Sequence, residues 1–234
     1  MRVGILATSF RAGIKIFEVL AALQHGEVYL LNFPAGKKVS FWKRAILFLS
    51  ALLSAKPWRL PQLLWTGNVI LFSEALDHPK TLSRIKELNL DIGLHKSESI
   101  YRDPTIRAFK QGILNAHIGL LPQYRGRCVM EWTILQGDRT GVSVFFIDAG
   151  IDTGERMVFS REIDVSGFES IEEAKSHLFS HDAECYKTAV QKLQTEDFKF
   201  EINDGSGARY YVMSNLFFSV VGDLLKENPI VSPS

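Results

Sequence analysis

Cysteine is scarce. Cys128 and Cys185 are the two in 234 residues, too few for a disulfide framework or a cysteine-rich zinc site. Reduced thiols in a cytoplasmic protein are the expectation. An excess of charge of either sign is also missing. Lys and Arg total 27 against 26 Asp and Glu, a net charge of +1. That balance argues against a protein that binds nucleic acid by neutralising many phosphates. Long apolar runs are missing too. The segment Ala45 to Ala55 (AILFLSALLSA) spans 11 residues, well short of the ~20 that cross a bilayer. Lys37, Lys38, Lys43 and Arg44 precede it, and Lys56 and Arg59 follow. A helix packed on the core is the better reading, with peripheral membrane contact as the alternative. The opening run Val3–Ala7 suits a buried strand, not the long apolar middle of a signal peptide. No glycine-rich GxGxxG follows that strand and there is no P-loop Lys, so the two commonest nucleotide fingerprints are absent. His25, His78, His95, His177 and His181 form no cluster with carboxylates in the sequence, and no metal is expected.

What is present is an ordinary globular composition. Hydrophobic residues make up 46%, enough apolar area to offset chain entropy and exclude disorder as the dominant state. Short apolar runs alternate with helical patterns. Strands are expected at Val3–Ala7, Glu27–Asn32, Asn68–Phe72, Asp91–Leu94, Gly112–His117, Gly141–Ile147 and Met157–Ile163. Helices are expected at Ile14–Leu23, Thr81–Leu88, Pro104–Phe109 (a single turn) and Cys128–Leu135, with one long helix at Ser170–Leu193. This alternation predicts an α/β, Rossmann-like fold: a mainly parallel twisted sheet with flanking helices. Residues 37–67 read as an insertion. From about Thr195 the pattern changes, with a loop at Asp204–Gly207 and a helix near Met213–Leu225. The expected organisation is a domain at 1–195 and a short C-terminal extension at 196–234.

The informative stretch runs from Gly112 to Gly154. Asn115 and His117 are two apart on a strand, so both side chains leave the same face. They stand at the C-terminal end of an apolar run, where parallel α/β sheets bind ligands. An amide beside an imidazole can hold a carbonyl oxygen and stabilise the oxyanion formed on attack. Asp152 lies in a glycine-flanked loop after a later strand. A carboxylate beside a His favours the imidazolium and can guide a proton-carrying water. Each element alone has a structural explanation: a satisfied histidine, a simple turn. The ordered set of Asn-x-His, Leu-Leu-Pro-x-Tyr-Arg-Gly and Asp-Thr-Gly is more specific.

That set resembles the formyltransferase family that uses 10-formyltetrahydrofolate. The family includes methionyl-tRNA, glycinamide ribonucleotide and sugar-nucleotide formyltransferases. The resemblance rests on Asn115–Pro122, Tyr124-Arg125-Gly126, Gly141–Val144 and Asp152-Thr153-Gly154. It is strongest over Ile113 to Gly154, and the order of strands extends it loosely to about residues 1–195. The chain departs from the family's Pro-Ser after the His, carrying Ile118-Gly119 instead. No stretch matches the C-terminal barrel of methionyl-tRNA formyltransferases, so with a net charge of +1 a small acceptor is expected rather than tRNA.

The resemblance implies roles. Asn115 would bond the formyl oxygen, His117 would stabilise the oxyanion, and Asp152 would orient His117 and relay the amine proton. Ile113, Asp148, Ala149, Gly150 and Ile151 would line the folate cleft, with His95–Asp103 as another wall. Ser143 supports the His117 region or packs the core. Arg125 binds a phosphate or fixes its loop by a backbone hydrogen bond. Glu131 contacts a sugar or amine, or lies on a solvated helix face. Arg209-Tyr210-Tyr211 caps the acceptor site or forms a docking strand. The implied reaction is formyl transfer from 10-formyltetrahydrofolate to a primary amine of a small acceptor, foremost a nucleotide-linked amino sugar. Alternatives are glycinamide ribonucleotide formylation, hydrolysis of 10-formyltetrahydrofolate, or folate binding without turnover. No nucleic-acid partner is expected, and a homodimer is compatible.

Overall fold

The computed structural model describes residues 1–23, 27–34, 40, 42–43, 45–47, 49–50, 68–97, 99–148 and 152–227. Two compact units divide between Asn115 and Ala116. The sequence had suggested a division near 195; residues 196–227 instead belong to the second unit.

The first unit is a parallel sheet with helices. Its elements are β1 (Val3–Ala7), α1 (Phe10–Ala21), β2 (Val28–Asn32), β3 (Val69–Leu71), α2 (Pro79–Glu87), β4 (Ile92–Lys96), α3 (Asp103–Ile106) and β5 (Gly112–His117), whose last two residues enter the second unit. The strand order is β3-β2-β1-β4-β5, all parallel. Val3 pairs with Val28 on one side and Ile92 on the other. A central parallel strand is covered on both faces, and so β1 reads as an unbroken apolar run in which every residue is buried. Helix α1 seats Phe10, Ile14, Phe17 and Leu20 inward at helical spacing. It approaches the sheet closely because Gly13 has no side chain; a Cβ there would lie 2.6 Å from Leu30 Cδ1. The Asn32 amide donates to the Ala7 carbonyl at 3.0 Å, tying the ends of β1 and β2 together.

The second unit contains β6 (Tyr124–Gly126), α4 (Val129–Gln136), β7 (Gly141–Phe146), β8 (Arg156–Glu162), α5 (Ile171–Ser180), α6 (Asp182–Lys192), β9 (Glu201–Ile202), β10 (Ala208–Tyr210) and α7 (Asn215–Glu227). Strands β7, β8 and β9 pair antiparallel in that order. Strand β10 pairs parallel with β6 as a separate two-stranded ribbon. Every residue of β7 is buried, and Leu121, Phe145 and Met157 pack together.

Three expectations change. The single helix at 170–193 is two helices: the His181 amide reaches back to Leu178 O in a tightened turn. A new start follows, with Asp182 and Glu184 in the first turn of α6, where negative charge suits the helix dipole. The loop after His117 contains a strand, β6, and the C-terminal extension contains two, β9 and β10. These are two or three residues long, too short for a period-2 pattern to register. Most of the 37–67 insertion, including much of Ala45–Ala55, lies outside the described residues. Within it Trp42, Ile46, Leu47 and Leu49 are exposed. Among the described residues no helix is long and apolar enough to cross a membrane.

Candidate active site

Strand β5 delivers the first two residues. Asn115 and His117 are alternate positions on it, and the backbone N–H of Ala116 between them donates to Tyr186 Oη at 3.0 Å. Asn115 is half-buried, and its amide has no hydrogen-bond partner among the described residues. His117 is 7% exposed. Its Nε2 lies 2.9 Å from the Tyr124 carbonyl, and its Nδ1 lies 3.6 Å from Asp152 Oδ1. A carbonyl only accepts, so Nε2 carries a proton. The other nitrogen faces the Asp152 carboxylate.

The departure at Gly119 has a structural reason. A Cβ there would fall 2.7 Å from Tyr124 O and 2.8 Å from His117 Nε2. Any side chain would wedge apart that hydrogen bond. The loop itself is fixed by Ser143, fully buried, whose Oγ accepts from Leu121 N at 2.9 Å.

Asp152 is brought in by the loop after β7, and each residue of Asp-Thr-Gly has a task. Asp152 sits in the left-handed region at φ 52°, a conformation Asp adopts at less cost than most residues. Its Oδ2 accepts from the Gly126 amide at 3.0 Å, and its own carbonyl accepts from Asn203 Nδ2 at 3.4 Å. Thr153 Oγ1 donates to Asp148 Oδ1 at 2.9 Å, closing the loop. Gly154 has no room for a side chain, since a Cβ would lie 2.0 Å from Phe146 O.

Strand β6 therefore has two occupied edges. Tyr124 C=O and Gly126 N–H point to the same edge of an extended chain, and they meet His117 and Asp152 respectively. The opposite edge carries β10, with Ala208, Arg209 and Tyr210 in register with Tyr124, Arg125 and Gly126. The C-terminal residues thus hold the strand on which the His–Asp pair rests. Tyr124 and Tyr210 stack at 5.3 Å, and Trp132 Nε1 donates to Tyr211 O at 2.9 Å. Burial first, and then the neighbouring Asp138 carboxylate, push the Tyr124 phenol well up, so it stays a donor to that carboxylate.

Of the remaining sequence candidates, Arg125 donates through Nε to Gly207 O at 3.0 Å. Glu131 is fully buried, and its Oε1 meets Lys175 Nζ at 2.5 Å; it lies on no solvated face. Ile113 is fully buried in β5. Asp148 is half-buried. Ala149, Gly150 and Ile151 lie outside the described residues. Sequence reasoning missed Asn203, Gly207 and the backbone groups of β6. Asn203-Asp204-Gly205 reads only as a turn, and backbone donors leave no trace in a sequence. Among the described residues no group of three His, Cys, Asp or Glu side chains could hold a metal ion.

Residues 76–190, just under half of the chain, match the family described as formyl transferase. Among curated relatives, a methionyl-tRNA formyltransferase of Geobacter metallireducens is 28% identical over 154 residues, covering 63% of this chain and 48% of that protein. The chain spans about half the length of such relatives. Among solved structures, a glycinamide ribonucleotide transformylase of Symbiobacterium toebii superposes with a TM-score of 0.61 at 17% identity, covering 87% of this chain and 94% of that one. The formyltransferase PseJ of Anoxybacillus kamchatkensis, in complex with UDP-4,6-dideoxy-4-formamido-L-AltNAc and tetrahydrofolate, does so with a TM-score of 0.52 at 17% identity, covering 90% and 85%. At these identities the structural likeness shows the Rossmann-like fold.

Proposed function

We propose that this protein transfers a formyl group from 10-formyltetrahydrofolate to the primary amine of a small acceptor, foremost a nucleotide-linked amino sugar. The observation that carries the reading is the His117–Asp152 pair held on β6, with the Asn115 amide, which has no hydrogen-bond partner among the described residues, two residues before the histidine. This donor set suits a formyl carbonyl: an amide N–H and an imidazole N–H for the oxygen, a carboxylate for the proton. The folate derivative supplies the activated formyl carbon. The acceptor nitrogen attacks that carbon, and negative charge develops on the formyl oxygen. Asn115 donates to that oxygen. His117 shifts its Nε2–H from Tyr124 O to it, because an anion is a stronger acceptor than a neutral carbonyl. Asp152 takes the proton of the attacking amine through water. The carbon–N10 bond then breaks, N10 receives a proton, and a formamide leaves. Two free thiols, Cys128 and Cys185, suit a cytoplasmic location.

The test is incubation with 10-formyltetrahydrofolate and a panel of amino-sugar nucleotides, glycinamide ribonucleotide and methionyl-tRNA, with products weighed by mass spectrometry. A formamide on an amino-sugar nucleotide is the expected result. Replacing Asn115 or His117 with Ala, or Asp152 with Asn, should each lower kcat by about 10²–10³-fold, the usual cost of one oxyanion donor. Activity retained in all three would refute the reading. Glycinamide ribonucleotide is the second candidate acceptor, favoured by the fold likeness to its transformylase; preferential formylation of that amine would select it.

A further inference from the structure

Strand β10 sets Arg209 directly beside Arg125. The two strands are parallel and these residues are register partners, so their side chains leave the same face of the ribbon about 4.8 Å apart at the backbone. Like charges at directly opposite positions destabilise a strand pair. Neither guanidinium has a carboxylate partner among the described residues. Arg125 is anchored by Nε to Gly207 O, which leaves its two Nη groups available, and the Arg209 guanidinium rests over the Tyr211 ring at 5.3 Å. Both heads are thus held in place without being neutralised. The edge of β6 turned away from β10 carries His117 and Asp152, so the arginine pair stands one strand from the proposed reaction centre.

We propose that Arg125 and Arg209 form a phosphate-binding subsite that anchors a phosphorylated or diphosphate-linked acceptor beside His117. Planar guanidinium forks match phosphoryl oxygens bidentately, and a bound dianion removes the repulsion between the two heads. The inference rests on the formyl-transfer reading for the identity of the ligand, but not for the existence of the anion site.

The test titrates inorganic pyrophosphate into the full chain at low salt by calorimetry. Wild type and the variants Arg209→Gln, Arg125→Gln and Arg139→Gln are compared. Arg139, paired with Glu162 on an exposed surface, controls for net charge. Wild type is expected to bind. Arg209→Gln and Arg125→Gln should each weaken binding by about tenfold or more, the loss of a charge-assisted hydrogen bond, and Arg139→Gln should stay within about twofold. Among the described residues the Arg209 side chain makes no backbone hydrogen bond, so its variant should melt as wild type does even if Arg125→Gln does not. In turnover, Arg209→Gln should raise KM for a phosphorylated amine by about tenfold and leave kcat within about threefold. KM for the same amine without phosphate should not move. No pyrophosphate binding by wild type, equal binding by Arg209→Gln, or equal weakening by Arg139→Gln would each overturn the subsite. If pyrophosphate binds as expected but no amine is formylated, the formyl-transfer reading fails and the anion site stands. If neutral amines are formylated while pyrophosphate does not bind, the reverse holds.

Discussion

Replacing Gly207 with Ala should loosen the ribbon on which the His–Asp pair rests. A Cβ at this position would lie 1.6 Å from the Pro122 carbonyl oxygen and 2.8 Å from Gln123 Cα. Both are backbone atoms, so the clash cannot be relieved by rotating a flexible side chain. The segment before β10 must move away from β6. Overpacking of this kind costs about 1–3 kcal/mol. Movement also weakens two hydrogen bonds, Arg125 Nε to Gly207 O at 3.0 Å and Arg127 N to Tyr210 O at 3.1 Å, each worth about 0.5–1.5 kcal/mol. A total near 3 kcal/mol follows. With a urea m-value of about 2 kcal/mol/M, the unfolding midpoint should fall by more than about 1 M. The amide of Gly126 should exchange faster, because its bond to Asp152 depends on β6 keeping its place. Gly205→Ala is the control: nothing lies within 4 Å of its Cβ position, and its only strain is φ 68°, worth about 1–2 kcal/mol. A Gly207→Ala midpoint within about 0.3 M of wild type, with Gly126 exchange unchanged, would refute the role given to the C-terminal residues.

Two further outcomes follow from buried charge. His95 is pushed down to about 4, by burial first and by Lys96 second, and its Nδ1 lies 2.7 Å from Tyr101 Oη. The unfolded chain protonates near 6.5 and the folded chain near 4, so the unfolded state binds more protons between those values. Stability is then whole above about pH 6.5 and falls on acidification towards pH 4, by up to about 3 kcal/mol. His95→Gln should flatten that part of the pH dependence in urea melts, and an unchanged slope would count against it. Lys175→Met should leave the fully buried Glu131 carboxylate uncompensated and destabilise by about 2–4 kcal/mol, allowing for the partial exposure of Lys175. The double variant Glu131→Gln with Lys175→Met should recover most of the loss; a double variant as unstable as the single would show that packing, not charge, sets the effect.

Much of the fold was legible because its elements are long or buried. The parallel strands of the first unit announce themselves as unbroken apolar runs, and β5 with its Asn-x-His end stands where the sequence placed it. Asp-Thr-Gly was legible as a unit too. Its reasons are local: a left-handed Asp, a Thr that closes the loop, a Gly pressed against Phe146 O. The fate of Glu131 was not legible, since a carboxylate on a helix reads as a solvated face until a lysine 44 residues later is found beside it.

By itself, the amino-acid sequence determined that the chain is α/β and that an amide, an imidazole and a carboxylate recur in a set order. These follow from apolar periodicity and side-chain type, which are written residue by residue. Only the tertiary structure decided what holds that set. His117 and Asp152 rest on a carbonyl and an amide of β6, and backbone groups are the same in every residue. Strand β10 pairs with β6 from 84 residues away, Arg209 against Arg125, and a three-residue strand carries too little pattern to name its partner. Long-range pairing of short strands turned a C-terminal appendage into the support of the site, and put two arginines side by side that have no carboxylate partner among the described residues.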